Sequence, residues 1–95
     1  MERTVDVVPE AGLHARPASK FVQTVNQYDA TVTVGRADDG EDGMVDASSM
    51  LAVTGLNVEH GESVRIVAEG EDASDALDAL ETVLTTPVDE GGEAS

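Results

Sequence analysis

Cysteine does not occur in these 95 residues, which removes disulfides, thiol nucleophiles and thiolate metal sites from consideration. No apolar run approaches the length that crosses a bilayer, and the opening Met1-Glu2-Arg3-Thr4 has none of the apolar stretch of a secretory signal. A soluble cytoplasmic protein without membrane insertion is therefore expected. Positive charge is scarce, with 5 basic residues against 20 acidic ones, a formal net charge of −15, and Lys20 as the one lysine. That balance argues against nucleic acid or an anionic membrane surface as partner. Self-repulsion of this size is relieved by dissolved salt, so the composition points to an acidic halophilic protein in a salt-rich cytoplasm.

Ninety-five residues make one domain with a single core and leave no room for a second catalytic unit. Residues 3–8 alternate Val5 and Val7 against Thr4 and Asp6, the period of a half-buried strand that Pro9 ends. Ala18, Phe21, Val22 and Val25 recur at helical spacing and predict a helix over about residues 16–27, with Pro17 suited to its first position. Residues 30–34 alternate again as a second strand. Residues 38–43 form an acidic turn that lacks the ordered oxygen ligands and later glutamate of a calcium loop, so no metal is expected there. Residues 44–46 read as a short strand.

Residues 48–56 open with hydroxyls, continue with helix formers and meet Gly55 as a stop, which predicts a short second helix. Its Met50, Leu51 and Val53 are more apolar side chains than one buried face of so few turns can use. They form either an apolar partner site or plain core packing. Residues 62–69 are the clearest strand, turning Val64, Ile66 and Ala68 one way. After Gly70, Glu71, Asp72 and Asp75 complement a helix start, and that helix buries Ala73, Ala76, Leu77, Leu80 and Leu84 before stopping by Thr86. Residues 87–95 have no apolar period and read as a disordered acidic tail, leaving 1–86 as the domain. The order β-α-β-β-α-β-α gives an α+β two-layer open-faced sandwich, a four-stranded antiparallel sheet covered on one face by three helices.

The chemistry concentrates in Gly12-Leu13-His14-Ala15-Arg16-Pro17-Ala18. His14 falls at the mouth of the first helix, where unpaired N–H groups and the positive end of the dipole stabilise an anion and disfavour a protonated imidazole. A neutral imidazole is a nucleophile. Arg16 adds permanent charge and a planar fork of donors suited to phosphoryl oxygens. Spacing alone would also suit a loop histidine that merely starts a helix.

The complete seven-residue string, near the N-terminus of a chain of this length, resembles the phosphohistidine site of HPr, the histidine-containing phosphocarrier family of the phosphoenolpyruvate-dependent sugar phosphotransferase system. The likeness runs over roughly residues 3–84 in length and element order. It implies the same open-faced fold by a separate route. It also implies that His14 takes a phosphoryl group from phosphorylated enzyme I and passes it to a sugar-specific IIA protein or domain. Arg16 would steady that group, with Ala15 and Pro17 beside it. The family uses Nδ1, although the sequence does not show which nitrogen reacts, and no bound cofactor is needed. By the same resemblance Ser49 matches a serine that a regulatory kinase modifies in some members. A helix-capping hydroxyl explains Ser49 equally well. The chain departs from the family where extra lysines are common around the docking face. Here Gln23, Asn26 and Gln27 flank Lys20, so contacts from Phe21, Met50 and Leu51 are expected to carry more of the partner binding. A monomer is expected.

Two other functions fit the same residues. One changes only the recipient, to dihydroxyacetone phosphorylation or a regulatory phosphotransfer chain. The other makes the chain a regulatory binding module that docks through Met50 and Leu51 with His14 unused. A hydrolase with His14 as general base lacks a nucleophile and an orienting carboxylate. His60 reads as an exposed loop residue, and its spacing from His14 supports no shared metal site.

Overall fold

The computed structural model describes residues 1–39 and 43–86, so the acidic turn lies partly, and the C-terminal tail wholly, outside the described residues. Its elements are β1 (Glu2–Asp6), α1 (Ala15–Val25), β2 (Thr31–Arg36), β3 (Val45–Asp46), α2 (Met50–Gly55), β4 (Ser63–Glu69) and α3 (Ala73–Thr85). The four strands form one antiparallel sheet in the order β1-β4-β2-β3. This is the α+β arrangement that the hydrophobic periods predict.

Register explains why one face is apolar. Val5 lies opposite Val64, Val34 opposite Ile66, and Val32 opposite Ala68, so the inward side chains of three strands meet in rows. All six are buried, together with Phe21 and Ala18 of α1, Val53 of α2, and Leu77, Leu80 and Leu84 of α3. Arg3 shares the inward face of β1 with Val5, but at the sheet edge. Its Nη1 donates to Asp78 (2.7 Å) and Glu81 (2.9 Å) of α3, and these carboxylates push its pKa up. The start of α3 is tied across the molecule rather than capped on itself. The Asp29 N–H donates to Asp72 Oδ2 at 2.7 Å, and the Asp72 N–H donates back to the Asp29 carbonyl at 3.1 Å.

Element ends differ from the expectations in ways that have causes. β2 runs on through Gly35 and Arg36, which pair with Arg65 and Val64, although glycine breaks the alternation that marks a strand in sequence. β1 ends at Asp6, yet Val7 stays bonded to the turn before β4, donating to the Glu62 carbonyl and accepting from the Gly61 N–H. α1 ends at Val25, with Asn26 and Gln27 beyond it. Gly55 does not stop α2. It is the last helical residue, and the chain leaves through Leu56 to Asn57, which adopts φ 58°, a conformation asparagine tolerates better than most residues. Pro17 is the third residue of α1 rather than the first. Its missing N–H still costs nothing there, because the first-turn donors have no partner within the helix.

Candidate functional site

The segment leading to His14 is shaped by one glycine and one buried leucine. Gly12 sits at φ 76° and its N–H closes a turn onto the Pro9 carbonyl (2.9 Å). A Cβ there would stand 2.4 Å from the Val58 carbonyl oxygen and 2.9 Å from Glu59 Cα, so both the dihedral and the close approach require glycine. Leu13 follows, fully buried, and its N–H donates to that same Val58 carbonyl at 2.9 Å. The neighbouring turn is fastened further by Gly61 N–H to the Val7 carbonyl (2.9 Å) and by His60 Nδ1, which donates to the Val8 carbonyl at 2.8 Å. His60 is exposed, as the sequence suggests, but it clamps the turn rather than lying idle.

His14 then occupies the N-cap of α1 in extended conformation (φ −135°, ψ 169°), with its side chain 31 % exposed and forming no cap hydrogen bond. Ala15 takes φ 50°, a left-handed conformation that costs a residue with a Cβ about 1 kcal/mol or more. Among the described residues the N–H groups of Ala15 and Arg16 have no acceptor, and the first bond of the helix is Ala18 N–H to the His14 carbonyl at 3.4 Å. Pro17 is buried and has no N–H to offer an anion, so it shapes the turn and does not itself bind.

Electrostatics single out the same place. Arg3, Arg36 and Arg65 are each bound to carboxylates, whereas Arg16 and Lys20 form no ion pair among the described residues. Both are exposed, four residues apart on α1. In a chain of net charge −15, both side-chain cations without an ion pair among the described residues lie on α1, the helix that His14 starts. Free N–H donors, a free guanidinium and a partly exposed imidazole are groups suited to binding an anion.

One acidic residue enters this site that no sequence pattern singles out. Glu59 Oε2 lies 3.9 Å from His14 Nε2. The backbone contact at Gly12 brings it there from far along the chain, and only the steric demand for glycine at that position hints at the approach. Glu59 is held from behind, its N–H donating to Glu62 Oε1 at 2.8 Å while Glu62 Oε2 accepts from Arg36 Nη2 at 2.6 Å. Those two bonds, the backbone one first, hold the Glu62 carboxyl below its ordinary pKa.

α2 presents the other candidate residues. Leu51 is 84 % exposed and Met50 39 %, while Val53 is fully buried, so the excess of apolar side chains is resolved into a core residue and a surface pair. Phe21 is a correction. It is fully buried, because the helical period that puts Ala18 and Val25 into the core carries Phe21 with them, and it is no part of an exposed docking face. Ser49 is the N-cap of α2, its Oγ accepting the Ala52 N–H at 3.2 Å. No cluster of potential metal ligands occurs among the described residues, and no helix there is long and apolar enough to cross a membrane.

The class these features define is a small α+β open-faced sandwich with a partly exposed histidine at the start of its first helix. The family model described as the PTS HPr component phosphorylation site matches residues 1–86, and the chain belongs to that family, the HPr phosphocarriers of the phosphotransferase system. It is 71% identical over 87 residues to the phosphocarrier protein HPr of Haloferax volcanii, covering 92% of this chain and 96% of that one. The phosphocarrier protein HPr of Pseudomonas putida is 39% identical over 89 residues, covering 94% and 96%. Among solved structures, the phosphocarrier protein HPr from Bacillus anthracis superposes with a TM-score of 0.80 at 34% identity, over 88% of this chain and 95% of that one.

Proposed function

We propose that His14 is the phosphoryl-accepting residue, charged by phosphorylated enzyme I and discharged to a sugar-specific IIA protein or domain. The observation that supports this reading most is the joint placement of the open His14 ring, the free N–H groups of Ala15 and Arg16, and an unpaired Arg16. A ring nitrogen attacks phosphorus with its lone pair. The donor's bond to phosphorus breaks and the donor keeps that electron pair. Positioning and charge compensation are the main requirements of such an in-line transfer. Arg16 supplies the charge, and its exposure keeps the stabilisation moderate, which a carrier needs if it is to release the group.

Lys20, Met50 and Leu51 form the face on which both partners dock, with the monomer as the working unit in the cytoplasm. Ser49 acts as a helix cap in this reading, and a phosphate on it would place charge at the start of α2, beside that face. The test is incubation with phosphoenolpyruvate and enzyme I. Acid-labile phosphate is expected on the wild type and none on His14→Ala. Equal labelling of the two proteins, or none on either, refutes the assignment.

A further inference from the structure

A carboxylate beside a histidine that takes on a doubly negative group has the wrong sign at first sight, and Glu59 stands 3.9 Å from the His14 ring. The conflict disappears when the two ring nitrogens are treated separately. Glu59 faces Nε2, and Nδ1 has no hydrogen-bond partner among the described residues. In a neutral imidazole one nitrogen carries the proton and the other the lone pair, and a facing acceptor fixes which is which.

We propose that Glu59 is a positioning residue for phosphoryl transfer, holding the proton on Nε2 so that Nδ1 presents the lone pair, and offsetting the positive charge the ring acquires when Nδ1 bonds to phosphorus. This rests on the reading of His14 as phosphoryl acceptor. The charges balance without a proton moving. Nδ1 donates its pair to phosphorus as the donor's bond breaks, Nε2 keeps its hydrogen, and the ring becomes cationic opposite the carboxylate. On transfer to an acceptor Nδ1 takes the pair back. The logic is that of a carboxylate behind a catalytic imidazole, which sets the tautomer and stabilises the imidazolium without becoming protonated. A separation of 3.9 Å is outside direct hydrogen-bond distance, and such contacts tighten as charge develops. Glu59 can make that move. Its backbone is fixed by Glu62 and Arg36, while its side chain is 65% exposed and free to turn.

The test uses phosphoramidate, a small donor that needs no partner protein. The imidazole nitrogen displaces ammonia from its phosphorus. Proton–nitrogen NMR then reports which ring nitrogen is phosphorylated, a readout that a merely structural role would not move. On the wild type Nδ1 is expected to carry the group. Glu59→Ala should slow that reaction about fivefold, the effect of one unit charge at this distance in water, and should divert part of the product to Nε2. Glu59→Gln, which keeps an acceptor oxygen but no charge, should retain the nitrogen preference while losing rate. Phosphorylation of the wild type on Nε2, or identical rate and nitrogen preference in the wild type and Glu59→Ala, would overturn the proposal. Failure of the carrier reading shows separately, as absence of labelling of the wild type by enzyme I and phosphoenolpyruvate.

Discussion

Gly12 decides whether His14 and Glu59 can meet, because the backbone at residues 12–13 and the turn at 58–59 approach too closely for any side chain between them. Gly12→Ala must either hold a Cβ at φ 76° against the Val58 carbonyl or push the two segments apart. Strain at one such residue costs about 1–3 kcal/mol, and the clash adds to it. A loss of about 2–4 kcal/mol in urea unfolding is expected, accompanied by slower phosphorylation of His14. Stability within 0.5 kcal/mol of the wild type would show that the loop relaxes without cost. The special backbone at this position is legible in the sequence, where a glycine opens the motif. Its reason is not, since the segment it packs against, Val58 and Glu59, lies more than forty residues away. For the same reason Glu59 escapes a reading by local pattern, whereas His14 and Arg16 do not.

Elements were readable wherever one period governed the whole stretch. Val64, Ile66 and Ala68 in β4, and Ala73, Ala76, Leu77, Leu80 and Leu84 in α3, are all buried as their spacing dictates. Where two demands compete the sequence is ambiguous, and α2 is the case in point. Six residues give fewer than two turns, and Met50, Leu51 and Val53 cannot all face the core. The structure buries Val53 and leaves Leu51 84 % exposed. An exposed leucine contributes little to folding, so Leu51→Asp should change stability by less than about 0.5 kcal/mol. On a docking face it should nevertheless impair phosphoryl exchange with enzyme I, raising KM more than it lowers kcat, because it alters association and not the transfer step. Exchange kinetics identical to wild type would remove Leu51 from the proposed face. Phe21 shows the limit of the opposite inference, from proximity in sequence. It lies within two turns of His14, yet its helical phase sends it inward.

Composition speaks about the molecule as a body where it says little about contacts. A net charge of −15 on 95 residues leaves most carboxylates without a cation, and three of the four arginines are already committed, to Asp78 and Glu81, to Glu62, and to Glu2. Added salt acts on this surface in two opposed ways. It weakens those few attractive pairs, which solvent already screens, and it screens the far more numerous repulsions among the uncompensated acids. The second effect dominates, because the Debye length falls from about 10 Å at 0.1 M to about 3 Å at 1 M. That is enough to silence neighbours across the surface while close pairs such as Arg36 and Glu62, at 2.6 Å, keep part of their attraction. The thermal midpoint should therefore rise steadily with KCl over that range, and an equal concentration of a neutral osmolyte should not reproduce the rise. A midpoint that stays level or falls would mean that the ion pairs outweigh the repulsion and that the acidic surface serves some end other than folding in salt.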